Sequence, residues 1–297
     1  MAAIILDGKV TANGIREEIA QDVLEMQEKH GVTPGLAAIL TGDDPASAIY
    51  VRNKERASGQ VGIYTETFRL PHNTSQDQLM STIASLNNDP KFHGILVQLP
   101  LPDQLDEKLA IASLRPEKDV DGIHPVNIGR LASGDPHFVP CTPAGTQQLL
   151  VRNGFSPEGK RVVICGRSNI VGVPLAMLLM QKRPGANATV TVCHTGTKEL
   201  AEVTRQADIL VAAMGRPSII TADMLREGVI VVDVGINRVP DDTRERGYRI
   251  EGDVDFPNVV HKAQAISPVP GGVGPMTIAM LLANTFKAAK ISIHGER

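Results

Sequence analysis

Residues 162–180 read VVICGRSNIVGVPLAMLLM. A β-branched apolar run ends at Cys165 and Gly166, a polar turn follows, and a second apolar stretch opens near Gly172 with Pro174 in its first turn. Strand, tight turn and helix in that order put glycines where a backbone must approach a pyrophosphate, and the helix N–H groups and dipole add attraction. Gly166 and Gly172 do not form a GxGxxG pattern, and an ordinary strand–turn–helix corner has the same outline. The next strand narrows the choice. TVTVCHTGT (189–197) ends in Cys193, His194 and Thr195, with no carboxylate. Rossmann domains that select NAD place Asp or Glu there for the ribose hydroxyl, and a carboxylate would repel a 2′-phosphate. With Arg167 and Ser168 in the first turn, the pattern favours NADP. His194 is either an assisting donor or a surface histidine with no role.

Around this core the second half alternates short strands and helices. Helices are expected at Thr142–Asn153, Val173–Gln181 and Lys198–Gln206, and strands at Arg161–Cys165, Ile209–Ala213 and Val229–Val234. Arg238–Gly252 is charged and reads as a solvated excursion, and an apolar-periodic helix closes the chain from about Pro275 to Ala289. The first half shows the same rhythm. Leu36–Leu40, Ile63–Phe68 and Gly94–Leu99 read as strands, and Pro45–Ser58, Ser75–Asn88 and Glu107–Ser113 as helices. Strands separated by helices of this length imply parallel βαβ crossovers. A Pro/Gly/Asp-rich zone, Arg115–Pro143, interrupts the rhythm and reads as a functional loop leading to a boundary. The expected fold is therefore α/β, with two βαβ-type domains flanking a cleft. The first spans 1–140 plus 276–297, the C-terminal helix returning to it, and 141–275 forms a Rossmann-like NADP-binding domain.

Composition excludes several classes. Hydrophobic residues make up 42% of the 297 and charged ones 21%, which fits a globule and not a disordered chain. Lys and Arg number 30 against 33 Asp and Glu, so no polyanion-binding surface is expected, and no nucleic acid partner. Nine Tyr and Phe and no Trp are too few for a base-stacking platform. Cys141, Cys165 and Cys193 lack CxxC spacing, which argues against structural zinc and disulfides and for a reduced, cytoplasmic setting. MAAIILDGKV has no basic n-region, and no apolar run approaches the ~18–20 residues of a membrane span. No membrane association is expected.

In the first half, GDDPASAIYVRNKERASG (42–59) gives a helix with Asp44 at its N-cap and Pro45 at N1. Ser47, Tyr50 and Lys54 share one face, whereas Arg52, Asn53, Glu55 and Arg56 lie mainly on others and read as solvent contacts. A Lys and a Tyr one turn apart suit a ligand cleft; a solvated Lys above a core Tyr has the same spacing. Gln98 ends the strand GILVQLPLP, where parallel sheets bind ligands, although a loop-capping glutamine fits there too. Asp119 and Asp121 in KDVDG are an Asx-turn pair or a metal pair, and no nearby His or Glu completes a shell, so no metal is assigned. VPGGVGP (269–275) offers consecutive amides ahead of a helix.

Taken in order, GDDPAS, YVRNKERASGQVGI, QLPLP, PEKDVDG, PCTP, GRSNIVGVP, DVGIN, GDVDF and PVPGGVGPMT resemble one family across nearly the whole chain. It is the bifunctional methylenetetrahydrofolate dehydrogenase / methenyltetrahydrofolate cyclohydrolase family of one-carbon metabolism. The resemblance implies that Lys54 is the cyclohydrolase lysine, with Gln98 tuning and orienting it. Tyr50 would stack on the folate, Asp121 would fix the pterin, and Ser47, Pro270, Gly271 and Gly272 would line the substrate. Gly166, Arg167, Ser168 and Ile236 match NADP contacts. Thr195 stands where the family often has serine, and its hydroxyl can likewise bond a phosphate. A homodimer in the bacterial cytoplasm, acting on tetrahydrofolate one-carbon derivatives, is also implied. The competing readings are an NADP-dependent dehydrogenase of shikimate or amino-acid type, which has no need of Lys54 and Gln98 in the same cleft as Tyr50, and an NADP-sensing regulator, for which no nucleic-acid-binding segment is present.

Overall fold

The computed structural model describes residues 2–244 and 247–294. Residues 245–246 of the expected charged excursion and 295–297 of the expected first domain lie outside the described residues. The chain opens with β1 (Ile4–Ile5) and a long helix, α1 (Gly8–His30). Ala12, Ile15, Ile19, Val23 and Met26 are all buried, a 3-4-4-3 spacing that turns one helical stripe inward.

Then follow β2 (Gly35–Thr41), α2 (Pro45–Gln60), β3 (Tyr64–Leu70), α3 (Gln76–Asn88), β4 (Gly94–Val97) and α4 (Glu107–Ala112). All six match expected elements to within a few residues. The strands form a parallel sheet in the order β3-β2-β4. Every residue of β2 is buried, as its unbroken apolar run requires of a central strand, while β3, on the edge, is largely half-exposed. Asp44 caps α2 as anticipated, accepting from the Ser47 N–H at 2.7 Å. Ser75 and Gln78 close a reciprocal capping box on α3. Ile39, Leu79, Ile83, Phe92 and Ile95 pack together as this sheet's core.

The Pro/Gly/Asp zone is more ordered than a loop. It holds a 3-10 turn at Pro116–Lys118 and a helix, α5 (Pro125–Ala132), capped by the His124 ring, whose Nδ1 accepts from the Val126 N–H at 3.0 Å. Pro125, Gly129 and a short apolar stripe hide that helix from periodicity.

Beyond it lie α6 (Cys141–Arg152), β5 (Arg161–Cys165), α7 (Gly172–Leu179), β6 (Thr189–Cys193), α8 (Leu200–Thr204), β7 (Ile209–Ala212) and β8 (Val229–Asp233). The expected solvated excursion is a β-hairpin: β9 (Asn237–Pro240) pairs antiparallel with β10 (Tyr248–Glu251). Its side chains alternate half-buried and exposed, so strand pairing and surface charge coexist. A short α9 (Phe256–Val259), β11 (Ala263–Ile266) and α10 (Val273–His294) complete the chain. A six-stranded parallel sheet runs β1-β11-β8-β7-β5-β6. Its core includes Val163, Leu210, Val231 and Ile266.

Two compact units result. One takes the chain up to Ala12 and Cys141–Thr277; the other takes Asn13–Pro140 and the chain from Ile278 onward. The N-terminal strand, placed by the sequence reading in the first domain, thus belongs to the larger sheet through its pairing with β11. The later part of α10 belongs to the smaller-sheet unit: Asn284 Nδ2 donates to the carbonyls of Val120 (2.9 Å) and Val139 (3.1 Å), and Lys287 to that of His137.

Candidate active site

In the smaller-sheet unit, α2 carries Tyr50 and Lys54 one turn apart. Tyr50 is 39% exposed and Lys54 is half-buried. The Lys54 ammonium donates to Gln98 Oε1 at 3.0 Å. Gln98 follows β4 directly, and its backbone N–H extends the ladder to the Ile39 carbonyl at 2.9 Å. Its side-chain Nε2 donates to the Leu99 carbonyl at 2.7 Å, so the amide can only turn its oxygen to the lysine. Helix and strand end therefore hold one ammonium in a fixed direction. Ser47 is buried at the start of the same helix.

The two aspartates of KDVDG separate cleanly. Asp119 is fully buried and accepts from the Gly122 N–H (3.2 Å), the His124 N–H (2.8 Å) and Asn127 Nδ2 (2.7 Å). Burial pushes its carboxyl above the usual range despite these donors. It builds the turn, and Asp121 is half-buried with no hydrogen bond to its carboxylate among the described residues. Among the described residues no group of three or more His, Cys, Asp and Glu could hold a metal ion. Glu55, expected in solvent, instead accepts a hydrogen bond from Thr67 on β3 and is half-buried. The helix lies against that strand, so what counts as its outer face is narrower than spacing implies.

In the larger-sheet unit, strand order reverses at β5: β6 lies to one side and β7 to the other. Open parallel sheets bind ligands at such a switch point, beyond the carboxyl ends of the strands. Gly166 leaves β5 at φ 131°, and a Cβ there would strike the Ala213 carbonyl. A Cβ on Gly172 would strike the Gly166 carbonyl, so α7 starts close against the strand exit. Arg167 and Ser168 are exposed on this turn, and the Ser168 hydroxyl accepts from the Val171 N–H at 3.2 Å. After β6, His194 Nδ1 accepts from the Gly196 N–H at 3.0 Å, and Thr197 Oγ1 accepts from the His194 N–H at 2.9 Å. The histidine shapes the loop, and Thr195 is left exposed beside it. Ile236 is 50% exposed after β8. Pro270, Gly271 and Gly272 follow β11, and the Gly272 N–H closes the turn on the Pro268 carbonyl at 2.8 Å. Gly166, Arg167, Ser168, Thr195, Ile236 and Pro270–Gly272 therefore all occupy the carboxyl edge of one sheet.

Sequence reasoning gave no role to Asp233 and Asp253. Both are buried at that edge, and each accepts several backbone N–H groups. The signal for Asp233 was present, an acidic residue closing the apolar run VIVVD; Asp253, in EGDVDF, carried none. A buried carboxylate in such a place must be hydrogen-bonded.

A parallel sheet with a glycine turn at its switch point, joined to a second α/β unit presenting an anchored lysine, defines a two-domain dinucleotide-binding enzyme. The comparisons make this specific. The family described as tetrahydrofolate dehydrogenase/cyclohydrolase matches through its catalytic domain over residues 6–121 and its NAD(P)-binding domain over residues 140–293. The chain is 56% identical to the bifunctional protein FolD of Dehalococcoides mccartyi (strain CBDB1), over 99% of each chain. The bifunctional FolD enzyme of Campylobacter jejuni superposes with a TM-score of 0.91 at 48% identity, over 98% of this chain and 100% of that one. The Trypanosoma brucei enzyme, crystallised with NADP cofactor and an inhibitor, superposes with a TM-score of 0.94 at 38% identity, over 99% and 100%. The chain belongs to the tetrahydrofolate dehydrogenase/cyclohydrolase family.

Proposed function

We propose that this chain oxidises 5,10-methylenetetrahydrofolate to 5,10-methenyltetrahydrofolate with NADP, then hydrolyses that product to 10-formyltetrahydrofolate, with Lys54 serving the second step. Membership of the family supports the reaction pair, and the Lys54–Gln98 hydrogen bond carries the assignment of residues. The unit of Asn13–Pro140 and the later part of α10 is the folate-binding one; the larger sheet is the NADP-binding one. No helix among the described residues is long and apolar enough to cross a membrane. The family resemblance implies a cytoplasmic homodimer, and sedimentation of the pure protein would test the dimer.

The residues at the larger sheet's edge fit NADP. Residues 194–198, directly after β6, hold no carboxylate to repel a 2′-phosphate, and Arg167, Ser168 and Thr195 are exposed to hold one. NADP held there would supply the hydride acceptor. The protein's task in that step is placement, because the folate nitrogens stabilise the cation as hydride leaves and no protein base is required. Donor and acceptor carbons must come within ~3–3.5 Å. Tyr50 offers an exposed ring face for the folate and Asp121 an unpaired carboxylate for the pterin, and Ser47 is buried at the start of the helix that carries Tyr50.

Water then adds to the methenyl cation and the ring opens. Those events need a group that takes and returns a proton at a fixed point. Gln98 fixes the Lys54 nitrogen and directs it. Lys54→Met keeps the stem and removes the amine. With methylenetetrahydrofolate and NADP supplied, that variant should still form NADPH and should accumulate the methenyl intermediate, whose hydrolysis falls by at least ~100-fold. Equal loss of both activities would overturn this division of labour.

A further inference from the structure

The loop leaving β7 is pinned from an unexpected direction. The N–H groups of Met214, Gly215 and Arg216 all donate to the Asp253 carboxylate, at 2.5, 3.0 and 3.0 Å, and Asn237 Nδ2 donates to it at 2.9 Å. Asp253 follows β10 and is fully buried. Its own N–H donates to Asp233 Oδ1 at 3.0 Å, and Asp233 also accepts from Gly235 (2.9 Å) and Val254 (2.9 Å). The Asp233 N–H in turn donates to Ser267 Oγ, just beyond β11, at 2.8 Å. Two carboxylates therefore tie together the exits of β7, β8 and β10, and the Asp233 N–H adds the exit of β11. A side chain at Gly235 would strike Asp253, and one at Gly252 would strike Asp233, so the knot admits no added atoms. Ile236 stands between Gly235 and Asn237, both held by it, and projects half-exposed from the sheet edge.

We infer that Asp253, assisted by Asn237, is a positioning residue for the dehydrogenase step, fixing the 214–216 loop and Ile236 at the edge where NADP lies. This rests on assigning that edge to NADP. A carboxylate that satisfies three consecutive N–H groups at a switch point stiffens a loop that would otherwise sample several conformations, and binding then requires less ordering. Hydrolysis of the methenyl compound uses no nucleotide and draws on Lys54 in the other unit, so it is insulated from the knot.

Asn237→Ala removes one of the four donors and leaves the three backbone ones in place; Asp253→Asn sets an amide NH2 against backbone N–H groups. Expected for Asn237→Ala is a rise in the KM for NADP of about tenfold. Methenyltetrahydrofolate hydrolysis, assayed with that compound supplied directly, should stay within about twofold, and the unfolding temperature without nucleotide should be nearly unchanged. Asp253→Asn should show the same pattern more strongly where it folds; where it does not, Asn237→Ala decides. Parallel loss of both activities, or a folded Asn237→Ala with unaltered NADP kinetics, would overturn the inference. Arg167→Ala separates the two levels. If it too leaves the KM for NADP unchanged, the nucleotide edge is misassigned; if it raises that KM while Asn237→Ala does not, only the positioning role fails.

Discussion

At the residue scale, Asp233 shows most clearly what burial does to a charge. Loss of solvation raises its carboxyl to about 6, against the lowering effect of three backbone donors, and the neighbouring Asp253 charge adds to the rise. The folded-state value thus lies above the unfolded one, so between about pH 4 and pH 6 the native state holds more proton than the unfolded chain. The contribution of Asp233 to stability is greatest below about pH 4, falls as pH rises through about 6, and stays low above. The swing is about 3 kcal/mol. Asp233→Asn is less stable at every pH because its NH2 faces donors, yet it should lack this slope. Urea unfolding of both proteins from pH 4 to 7 checks it, and parallel curves would refute the shift. The placement of Lys54, Tyr50 and Gln98 was legible in the sequence because helix spacing and strand ends predict direction, whereas Asp121 was singled out from Asp119 only through the family resemblance. Asp253 and the Glu55–Thr67 bond were not legible, because each depends on which distant segment closes over it.

The elements were legible wherever hydrophobic period and end signals agreed. The buried strands Gly35–Thr41 and Val229–Asp233 are continuous apolar runs, and α2 and α3 carry caps that mark their starts. The stripe of α1 is just as regular, although its glycines and its low overall hydropathy mask it. Failures cluster where charge stands in for burial: the β9–β10 hairpin pairs through its backbone while its side chains meet water, so it reads as a loop. The strand–helix junction at β5 and α7 yields a prediction of its own. Gly172→Ala would push the first turn of α7 off the Gly166 carbonyl. Both the unfolding temperature and NADP affinity should drop, the latter by tenfold or more, on the order of a lost buried hydrogen bond. Titration of NADP by fluorescence or calorimetry measures it, and unchanged affinity would mean the turn tolerates displacement.

For the whole molecule, the division into units does not follow the order of the chain. The larger sheet recruits its edge strand from the first few residues, and the smaller-sheet unit recruits the later part of α10. No periodicity could show that, because a two-residue strand carries no pattern and pairing partners lie at opposite ends of the sequence. A fragment beginning at Cys141 would lack β1 and leave the β11 edge unpaired. Such an edge templates association with other chains. The fragment should aggregate at concentrations where the full chain does not, as light scattering would register, and a peptide of residues 1–12 should suppress it. A monodisperse fragment would show that β1 contributes little.

The same pairing has a temporal side. Ile5 leaves the ribosome early, but its neighbour Ile266 emerges roughly 260 residues later, tens of seconds at ordinary translation speeds. The nascent amino-terminal segment must wait, unpaired, while the smaller sheet is completed behind it. Closure of the larger sheet therefore waits for β11 to emerge, and whatever shields those first isoleucines during the wait should affect the yield of finished enzyme.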